Sequence, residues 1–586
     1  MSVDTRERIP PHLRRFVVEQ DPSAYDEIDQ AVWRFVLLQM YDRGVQSAHP
    51  AYATGLTQTG ISVERVPSIA EMDGCLRRFG WGAVAVDGFI PPRAFQEFQA
   101  LGILTIAAEI RRPEHLAYTP APDIIHESAG HAPIVPDAHY REFLQNFGQV
   151  GARAFSSRED QRIYEAIHLL SELKEDAGTP PSRIAEVQAE LEAAQQSVTR
   201  PSEAALLSRL HWWTVEYGLI GTPHAYKLYG AGLLSSLGES HFLHDPGVQK
   251  LPLGAGCIDV AYDITKPQPQ LFVTDSFEQL QDVLDEVADE LAQRRGGALA
   301  LERALEAGEL ATLELSSGVE LIGVLDRVLG TLDNPAYLRL RGACALSAGG
   351  RLLHGHGRSA HQDGFGTPLG RLEDGTALEE LDASTLARRV SAAERCELRF
   401  RSGVRVIGRL EEVRWSELRR PQVLSFADCR VTLGSELLFD PAWGRYDLAV
   451  GESVRRAYAG PADPGYWPAT EFSSVRVPRR KARPGEESRL IELYRQALAL
   501  WQRPSEPELT QGFEQIHGVL GADFPRDWLL RWNLLECLRK MGNEGTLGGV
   551  LRKELLEIES HAPRDLPITT GLRYLDARYP SRAPLA

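Results

Sequence analysis

The first half of the chain carries its hydrophobic residues at helical spacing. Within residues 24–295, the segments 28–41 (IDQAVWRFVLLQMY) and 276–295 (SFEQLQDVLDEVADELAQRR) have apolar positions three and four residues apart, which predicts amphipathic helices. Gly296 and Gly297 follow the second segment and give that helix a natural end. We therefore expect a mainly α-helical domain over residues 1–300.

A segment of different character interrupts this helical domain. Residues 156–201 are charged and rich in Ala, Glu and Gln, and GTPP at 178–181 breaks the pattern. Apolar residues lie on one helical face on both sides of the break: Ile163, Ile167 and Leu170 before it, and Ile184, Val187 and Leu191 after it. The pattern predicts a helical hairpin inserted into the domain.

Beyond residue 300 the apolar positions alternate. The stretches 313–328 (LELSSGVELIGVLDRV) and 398–413 (LRFRSGVRVIGRLEEV) share S-G-V and I-G at an offset of 398 − 313 = 85 positions. Each pattern predicts a strand, a tight Ser-Gly turn and a second strand. Two related hairpins predict a β-rich domain with an internal duplication over 301–476.

The last hundred residues are predicted to be helical again. Residues 475–488 are first basic and then rich in Pro and Gly, which is typical of a linker. Helical patterns follow at 488–502 and 527–541. We therefore expect a linker and a helical C-terminal region over 477–586.

Composition narrows the class of protein. Hydrophobic residues make up 43% and charged residues 25% of the chain, as in folded globular proteins. The net charge of −17 disfavours nucleic acid as a partner. The six cysteines form no C-x-x-C pair, the start is charged, and no run of eighteen apolar residues occurs, so we expect a cytoplasmic protein with reduced thiols and no membrane contact.

A cluster of candidate metal ligands lies at 122–135 (PDIIHESAGHAPIV). Zinc proteases space two histidines at i and i+4, whereas His126 and His131 are five apart, about 140° around an ideal helix. Both reach one metal only if the helix ends or distorts, which Gly130 and Pro133 permit.

A carboxylate would complete the site. Glu216, in the aromatic stretch HWWTVEYG, would make a two-histidine, one-carboxylate triad that suits non-heme Fe(II). On the residues alone, a purely structural His/Glu cluster is an equal alternative, and hydrolytic zinc chemistry is disfavoured by the spacing.

Four stretches in order resemble motifs of one known family. The stretches 122–135, 212–218 (WWTVEYG) and 229–239 (YGAGLLSSLGE) resemble three motifs of the tetrahydropterin-dependent aromatic amino acid hydroxylases, and 262–273 (YDITKPQPQLFV) resembles the segment that closes their catalytic domain. The resemblance covers residues 25–295. It implies a mainly α catalytic domain that uses Fe(II), a tetrahydropterin (tetrahydrobiopterin or a bacterial equivalent) and O₂ to hydroxylate a free aromatic amino acid.

The resemblance also implies roles for individual residues. His126, His131 and Glu216 would bind the iron, and Ser235 would hydrogen-bond an iron-ligating histidine. Arg111 would hold the substrate's α-carboxylate. The other implied residues fall into two groups: Phe95, Glu127, Gly88 and Ile90 around the pterin, and Thr119, Pro122 and Trp212 around the amino acid.

The chain departs from the family at two points. The separation of His131 and Glu216 is longer than in the family, and the predicted insert at 156–201 accounts for the difference. His211 stands where many members have Tyr, and we expect it to be a satisfied buried histidine.

The reaction favoured by the resemblance is conversion of L-phenylalanine to L-tyrosine. Tryptophan 5-hydroxylation and phenylalanine 3-hydroxylation are the alternatives within the family, and a non-catalytic scaffold built on a retired hydroxylase domain is an alternative of another class. No motif in the C-terminal half indicates a function; we expect a structural or interaction module, which could mediate self-association, bind a protein partner such as a pterin-recycling enzyme, or sense a ligand. In it we expect no metal cluster, and His354, His356 and His361 are expected to be polar surface residues.

Overall fold

The chain has a helical first half, a sheet-rich middle and a group of C-terminal helices, in the predicted order. The computed structural model describes residues 4–88, 90–116, 122–175, 179–264, 266–390, 395–467, 485–502, 506–562 and 566–580. Of the predicted features, Thr119 and most of the linker at 475–488 lie outside these residues.

Thirteen α-helices and seven strands lie within the described part of the first 307 residues, besides short 3-10 and π-helical turns. Side-chain caps start several of the helices: Asp137 accepts from the backbone N–H groups of His139 and Tyr140, and Ser276 from that of Gln279, as capping residues do. The α-helices are α1 (Glu27–Ser47), α2 (Pro50–Gln58), α3 (Ile69–Leu76), α4 (Pro92–Ala100), α5 (Ala138–Gly151), α6 (Arg158–Glu175), α7 (Pro181–Ser197), α8 (Glu203–His211), α9 (Ala231–Ser235), α10 (Leu237–Phe242), α11 (Phe277–Asp289), α12 (Ala292–Arg295) and α13 (Gly297–Ala307).

Two small sheets lie beside these helices. The first has the order β1-β2-β3 and the second the order β5-β4-β7-β6. The strands are β1 (Val17–Val18), β2 (Gly82–Val86), β3 (Ile103–Ala107), β4 (Leu219–Thr222), β5 (Ala225–Leu228), β6 (Gln249–Pro252) and β7 (Gln270–Thr274).

The helices α6 and α7 form the hairpin predicted at 156–201. They pack on each other through a small apolar cluster of their own, which contains Leu170, Val187 and Leu191. The helix predicted at 276–295 is present as α11 and α12, and it stops before Gly296 as the sequence indicates.

The middle of the chain forms two antiparallel sheets. The first has the order β11-β10-β9-β8-β18, with β12 also paired to β10; the second has the order β13-β14-β15-β16, with β17 also paired to β15. A short helix, α14 (Ala383–Val390), lies in sequence between β12 and β13, and β18 completes the first sheet after the strands of the second. The strands are β8 (Leu310–Leu315), β9 (Val319–Gly330), β10 (Pro335–Ala348), β11 (Arg351–Leu352), β12 (Phe365–Pro368), β13 (Cys396–Arg399), β14 (Val404–Trp415), β15 (Pro421–Leu433), β16 (Glu436–Phe439), β17 (Tyr446–Ala449) and β18 (Val454–Ala459).

The expectation for the histidines in this region was wrong for two of three. His354 is exposed, but His356 and His361 are buried, at 4% and 9% exposure. They meet Asp447, and the three side chains form a group that could hold a metal ion. The loop was misjudged because glycine-flanked histidines are usually polar surface, and the partner carboxylate is distant in sequence.

The C-terminal region contains five described helices, three more than the sequence pattern indicated. They are α15 (Gly485–Gln502), α16 (Glu506–Asp523), α17 (Leu529–Met541), α18 (Gly545–His561) and α19 (Ile568–Arg578). They share one hydrophobic core with the first half of the chain. Phe35 of α1 contacts the rings of Trp528 and Trp532, and Arg34 forms a two-pronged ion pair with the buried Glu536.

Among the described residues, no helix combines the length and the apolar character that crossing a membrane requires.

Candidate metal centre

Two π-helical segments carry the three predicted metal ligands. His126–His131 and Trp212–Glu216 are both π-helices, in which hydrogen bonds join residues five apart. Residues at i and i+5 therefore stand on the same side of the helix, whereas an α-helix would separate them. This is the distortion that the spacing of His126 and His131 requires.

Close packing explains why Gly130 stands in the first of these segments. A Cβ atom added at Gly130 would lie 2.7 Å from the Ala231 carbonyl oxygen and 3.0 Å from the Ala231 Cβ. Only glycine lets this π-helix lie so close to α9, the helix that carries Ser235. The approach places Ser235 beside His126.

The three side chains converge on one point. His126 Nε2 lies 3.1 Å from His131 Nε2 and 3.2 Å from a Glu216 carboxylate oxygen, and His131 Nε2 lies 3.3 Å from the other oxygen. Although burial alone would raise it, the two histidines hold the pKa of Glu216 well below its usual range. The carboxylate is therefore ionised, as a metal ligand must be.

Ser235 fixes the tautomer of His126. The Ser235 hydroxyl donates to the Ala231 carbonyl oxygen at 2.7 Å, so its single hydrogen is used. At 2.9 Å from His126 Nδ1, its oxygen must accept the proton of that nitrogen. In the neutral ring, His126 Nε2 is then unprotonated and presents its lone pair to the meeting point of the triad.

Glu127 is buried next to the triad without a hydrogen bond at one oxygen. Its side chain is 9% exposed, and Oε2 lies 3.9 Å from His131 Nε2. Among the described residues this buried oxygen has no hydrogen-bonding partner. Burial raises the pKa of Glu127 to about 8, and the nearby Glu216 carboxylate adds to the shift. An unpartnered buried carboxyl oxygen is a receptor for an N–H or O–H group of a ligand.

Arg111 is held rigidly by Asp123, a residue that the sequence patterns did not single out. Arg111 Nε donates to Asp123 Oδ2 at 2.8 Å and Nη2 to Oδ1 at 2.7 Å, while Nη1 donates to the Ser235 carbonyl oxygen at 3.2 Å. Asp123 also accepts from the backbone N–H of His126. A carboxylate at the N-cap position, immediately before a helix that begins at Ile124, is a local pattern that could have revealed it.

Three of the four residues predicted to surround the pterin, Gly88, Ile90 and Phe95, belong to α4 and the segment that precedes it. Phe95 on α4 makes an edge-to-face contact with the His211 ring at 5.8 Å, and both line a small cavity with His131. Ile90 is buried in the cluster against which Phe95 packs. Gly88 donates its backbone N–H to Glu109 at 3.3 Å.

The His211 side chain is 12% exposed, with Nδ1 3.7 Å from a Glu216 oxygen. Burial lowers the pKa of His211 to about 4, so the ring is neutral. Its Nε2 has no hydrogen-bonding partner among the described residues, which departs from the expectation that this histidine would be satisfied.

Trp212 forms an aromatic wall with Tyr262. Their rings stack at 4.3 Å with an angle of 10° between planes, and Trp212 Nε1 donates to Gln268 Oε1 at 3.3 Å. Sequence reasoning did not name Tyr262, whose partner lies 50 positions away (262 − 212). Pro122 is exposed.

Comparison with known proteins gives the same family as the motifs. The sequence model of the family described as biopterin-dependent aromatic amino acid hydroxylase matches residues 21–165 and 184–296. The unmatched interval, 166–183, lies within the helical hairpin.

Two curated relatives carry the name phenylalanine-4-hydroxylase. The protein of Ralstonia nicotianae is 31% identical over 274 residues, which are 46% of this chain and 72% of the relative. The protein of Caulobacter vibrioides is 27% identical over 360 residues, which are 60% of this chain and the whole of the relative.

A solved structure is also similar: phenylalanine hydroxylase of Chromobacterium violaceum, with bound iron(III) and oxidised 7,8-dihydrobiopterin. It is 24% identical, with a TM-score of 0.38, and the match covers 50% of this chain and 94% of that one. On the family model and the relative of Ralstonia, the chain belongs to the biopterin-dependent aromatic amino acid hydroxylases, a family of monooxygenases whose cofactors are iron and a tetrahydropterin.

Proposed function

We propose that the protein converts free L-phenylalanine to L-tyrosine with O₂ and a tetrahydropterin, using Fe(II) bound by His126, His131 and Glu216. The observation that carries the proposal is the meeting of three donor atoms at 3.1–3.3 Å. Two imidazole nitrogens and one ionised carboxylate are the donor set of non-heme Fe(II) oxygenases, and they leave further coordination positions open. A hydroxylase domain that had become a non-catalytic scaffold would be expected to lack one of the metal ligands, and all three are present.

The pterin would lie between Glu127 and Phe95. The partnerless Glu127 oxygen suits the N–H groups of a pterin ring, and Phe95, Ile90 and Gly88 would supply its wall. When bound, the ferrous ion and the tetrahydropterin would supply the activation of O₂, with one oxygen atom going to the substrate ring, the other leaving as a hydroxyl group on the pterin, and the pterin providing the two electrons. The chain itself supplies positioning and a site that excludes water.

Among the described residues, Arg111 uses three of its N–H groups and has two hydrogen-bond donors left for the substrate. Of its five N–H groups, two donate to Asp123 and one to the Ser235 carbonyl. Of the remaining two N–H groups, one is on Nη1 and the other on Nη2, and such a pair can bind a carboxylate bidentately. The α-carboxylate of the amino acid would occupy this fork.

Ser235 would couple substrate position to metal position. Its carbonyl oxygen holds Arg111, and its hydroxyl holds His126. The anchor of the amino acid and a ligand of the iron are therefore both fixed to one residue. This fixes the distance from the carboxylate fork to the metal, which helps to decide which ring atom is within reach.

The substrate ring would lie against Trp212. The stack of Trp212 on Tyr262 gives a planar, rigid surface suited to a six-membered ring. Thr119 and Pro122 are proposed to line the same pocket. Trp212 favours phenylalanine or tyrosine as the substrate over tryptophan.

We also propose the domain organisation: a catalytic domain at 1–300 with an insert at 156–201, a duplicated β-rich domain at 301–476, and a linker with C-terminal helices at 477–586. The duplication is supported by matching irregularities. The turn glycines Gly318 and Gly403 have φ values of 83° and 87° and lie 403 − 318 = 85 positions apart. The second strands bulge at 326 and at 411, again 85 apart.

The contacts of two further glycines repeat at the same offset. A Cβ at Gly323 would meet Cys344, and a Cβ at Gly408 would meet Cys429. Both pairs are related by 85 positions, since 323 + 85 = 408 and 344 + 85 = 429. Equivalent close contacts inside two hairpins are typical of a duplicated unit.

A product assay on the full chain tests the proposed reaction. The protein would be loaded anaerobically with Fe(II) and given tetrahydropterin, O₂ and equal concentrations of phenylalanine, tyrosine and tryptophan. Products would be identified by mass and retention time. We expect tyrosine, formed only when the pterin is present.

Other products would correct different parts of the proposal. Meta-tyrosine would overturn the ring position, and 5-hydroxytryptophan would overturn the substrate. No hydroxylated product from an iron-loaded chain would favour a retired scaffold.

A further inference from the structure

A second group of ligand-type side chains lies far from the triad in sequence, in the β-rich part of the chain. His356 and His361 belong to the loop between β11 and β12, and Asp447 belongs to β17. The three side chains are 5%, 8% and 9% exposed. Two imidazoles and a carboxylate are almost fully removed from water there, and such groups need partners.

Their polar atoms point at one another without making good hydrogen bonds. His356 Nδ1 lies 3.4 Å from His361 Nε2 and 3.6 Å from Asp447 Oδ2, and His361 Nε2 lies 3.8 Å from the same oxygen. A separation of 3.6 Å or more is too long for a side-chain hydrogen bond. The three atoms are all potential metal ligands, and their separations leave room for a cation between them.

The spacing differs from that of the iron triad. Two ligand atoms 2.0–2.1 Å from a tetrahedral zinc ion lie about 3.4 Å apart, and about 3.0 Å apart in neighbouring octahedral positions. The triad distances of 3.1–3.3 Å lie between the two values, whereas 3.4–3.8 Å lies at and above the tetrahedral value, the wider of the two. We propose that His356, His361 and Asp447 bind a second metal ion, a divalent cation of the zinc type in tetrahedral coordination.

The surroundings hold each proposed ligand in place. The other Asp447 oxygen, Oδ1, accepts from the Ser425 hydroxyl at 2.5 Å and from Arg445 Nε at 3.1 Å. Oδ2 is thereby left facing the two imidazoles. Hydrogen bonds of this kind orient ligating carboxylates in metal sites.

The backbone around the histidines is equally fixed. The carbonyl oxygens of His356 and His361 each accept a 2.9 Å hydrogen bond from a backbone N–H of β10, given by Leu346 and Cys344. Both rings therefore start from anchored backbone rather than from a free loop. The site is assembled by the sheet, before any metal binds.

The position of the site indicates a structural role for the metal. The two histidines come from the loop that follows the first hairpin unit, and Asp447 comes from a strand of the second sheet. A metal bound to all three would tie the two sheets together. The fourth tetrahedral position is left for a water molecule or a small ligand, since three protein ligands are in place.

A cobalt titration tests the site independently of the iron centre. The full-length Glu216→Ala variant, in which the triad is disabled, would be stripped of metal and titrated with Co²⁺. Four-coordinate Co²⁺ absorbs visible light far more strongly than six-coordinate Co²⁺. We expect one tight equivalent with the intense four-coordinate spectrum, and a rise in Tm when Co²⁺ or Zn²⁺ binds.

Variants in the same background assign the signal. Adding His361→Ala is expected to weaken Co²⁺ binding at this site by more than about 100-fold. Loss of a residue that only supports a ligand lowers metal affinity by about 10–100-fold, and loss of a ligand itself should lower it further. His354→Ala removes an exposed histidine of the same loop and is expected to leave binding unchanged.

Two results would overturn the proposal: no tight, intensely absorbing equivalent in the Glu216→Ala chain, or equal binding by the His361→Ala and His354→Ala chains. If His361→Ala does not fold, as judged by circular dichroism, Asp447→Asn replaces it. The asparagine keeps the size of the side chain and removes its charge, and it is expected to lose the metal as well.

Discussion

Replacing Ser235 by alanine tests how His126 is prepared to bind the metal. In the wild-type chain the Ser235 oxygen accepts the Nδ1 proton of His126 and leaves Nε2 free. In Ser235→Ala the Nδ1–H group of His126 loses its acceptor. The other neutral tautomer, in which the proton is on Nε2 and that nitrogen cannot bind a metal, is then no longer disfavoured.

The size of the effect follows from the type of contact that is lost. Removing a hydrogen bond to a metal-ligating histidine costs about 10–100-fold in metal affinity, or about 1.4–2.7 kcal/mol. We expect the Kd for Fe(II), measured by anaerobic titration, to rise by this factor. At saturating iron, the rate of tyrosine formation is expected to fall by a smaller factor than the Fe(II) affinity, because the three ligands themselves remain.

Ser240→Ala is the matched control. The Ser240 hydroxyl also donates to a backbone carbonyl within a helix, that of Leu237 at 3.1 Å, but the described contacts of Ser240 include no histidine. Its substitution removes the same kind of intrahelical hydrogen bond and should leave the Kd within about two-fold of wild type. If Ser235→Ala binds Fe(II) as tightly as Ser240→Ala, the argument from the tautomer is refuted.

Three further predictions concern the packing around the site. Arg34→Met leaves the Glu536 side chain, 1% exposed, without its partner and should lower the free energy of unfolding by about 3–5 kcal/mol. In a denaturant titration, the double variant with Glu536→Leu should regain most of this free energy, and equal instability of both variants would refute the pairing. Asp123→Asn weakens a charged contact worth about 1.5–3 kcal/mol, so we expect the KM for the amino acid to rise at least about ten-fold in steady-state kinetics; an unchanged KM would show that Asp123 does not orient Arg111. Gly130→Ala forces a contact of 2.7 Å with Ala231 and should cost about 1–3 kcal/mol of stability together with Fe(II) affinity, whereas thermal and iron titrations like those of wild type would contradict the close packing.

Local patterns were sufficient for much of the fold. The alternation around two Ser-Gly turns predicted the hairpins β8–β9 and β13–β14, and the heptad-like apolar spacing predicted α11 and the inserted pair α6 and α7. These elements are specified by residues close to each other in sequence. The C-terminal helices illustrate the opposite case, since three of the five were not indicated. Of these three, α19 packs on α1, where Gly571 lies against Phe35, 571 − 35 = 536 positions away in sequence.

The same distinction applies to the site. The motif spacing brought out His126, His131 and Glu216, and it required a distorted helix between the histidines. It did not identify a π-helix as that distortion, because the geometry depends on the packing of Gly130 against Ala231. Asp123 and Tyr262 were missed because their roles depend on which side chain they contact in space. His356 and His361 were misjudged for the same reason, since Asp447 completes their cluster from another strand.

Tyrosine formation from phenylalanine under ¹⁸O₂, measured for the wild-type chain and for Glu216→Ala, examines the proposed reaction and the proposed iron ligand together. Both would be supplied with Fe(II) and tetrahydropterin, and the mass of the product would be recorded. We expect the wild-type chain to form tyrosine that carries one ¹⁸O atom, and Glu216→Ala to form no tyrosine above background. Equal product from both chains would contradict the assignment of Glu216 as an iron ligand, and no product from an iron-loaded wild-type chain would contradict the proposed reaction.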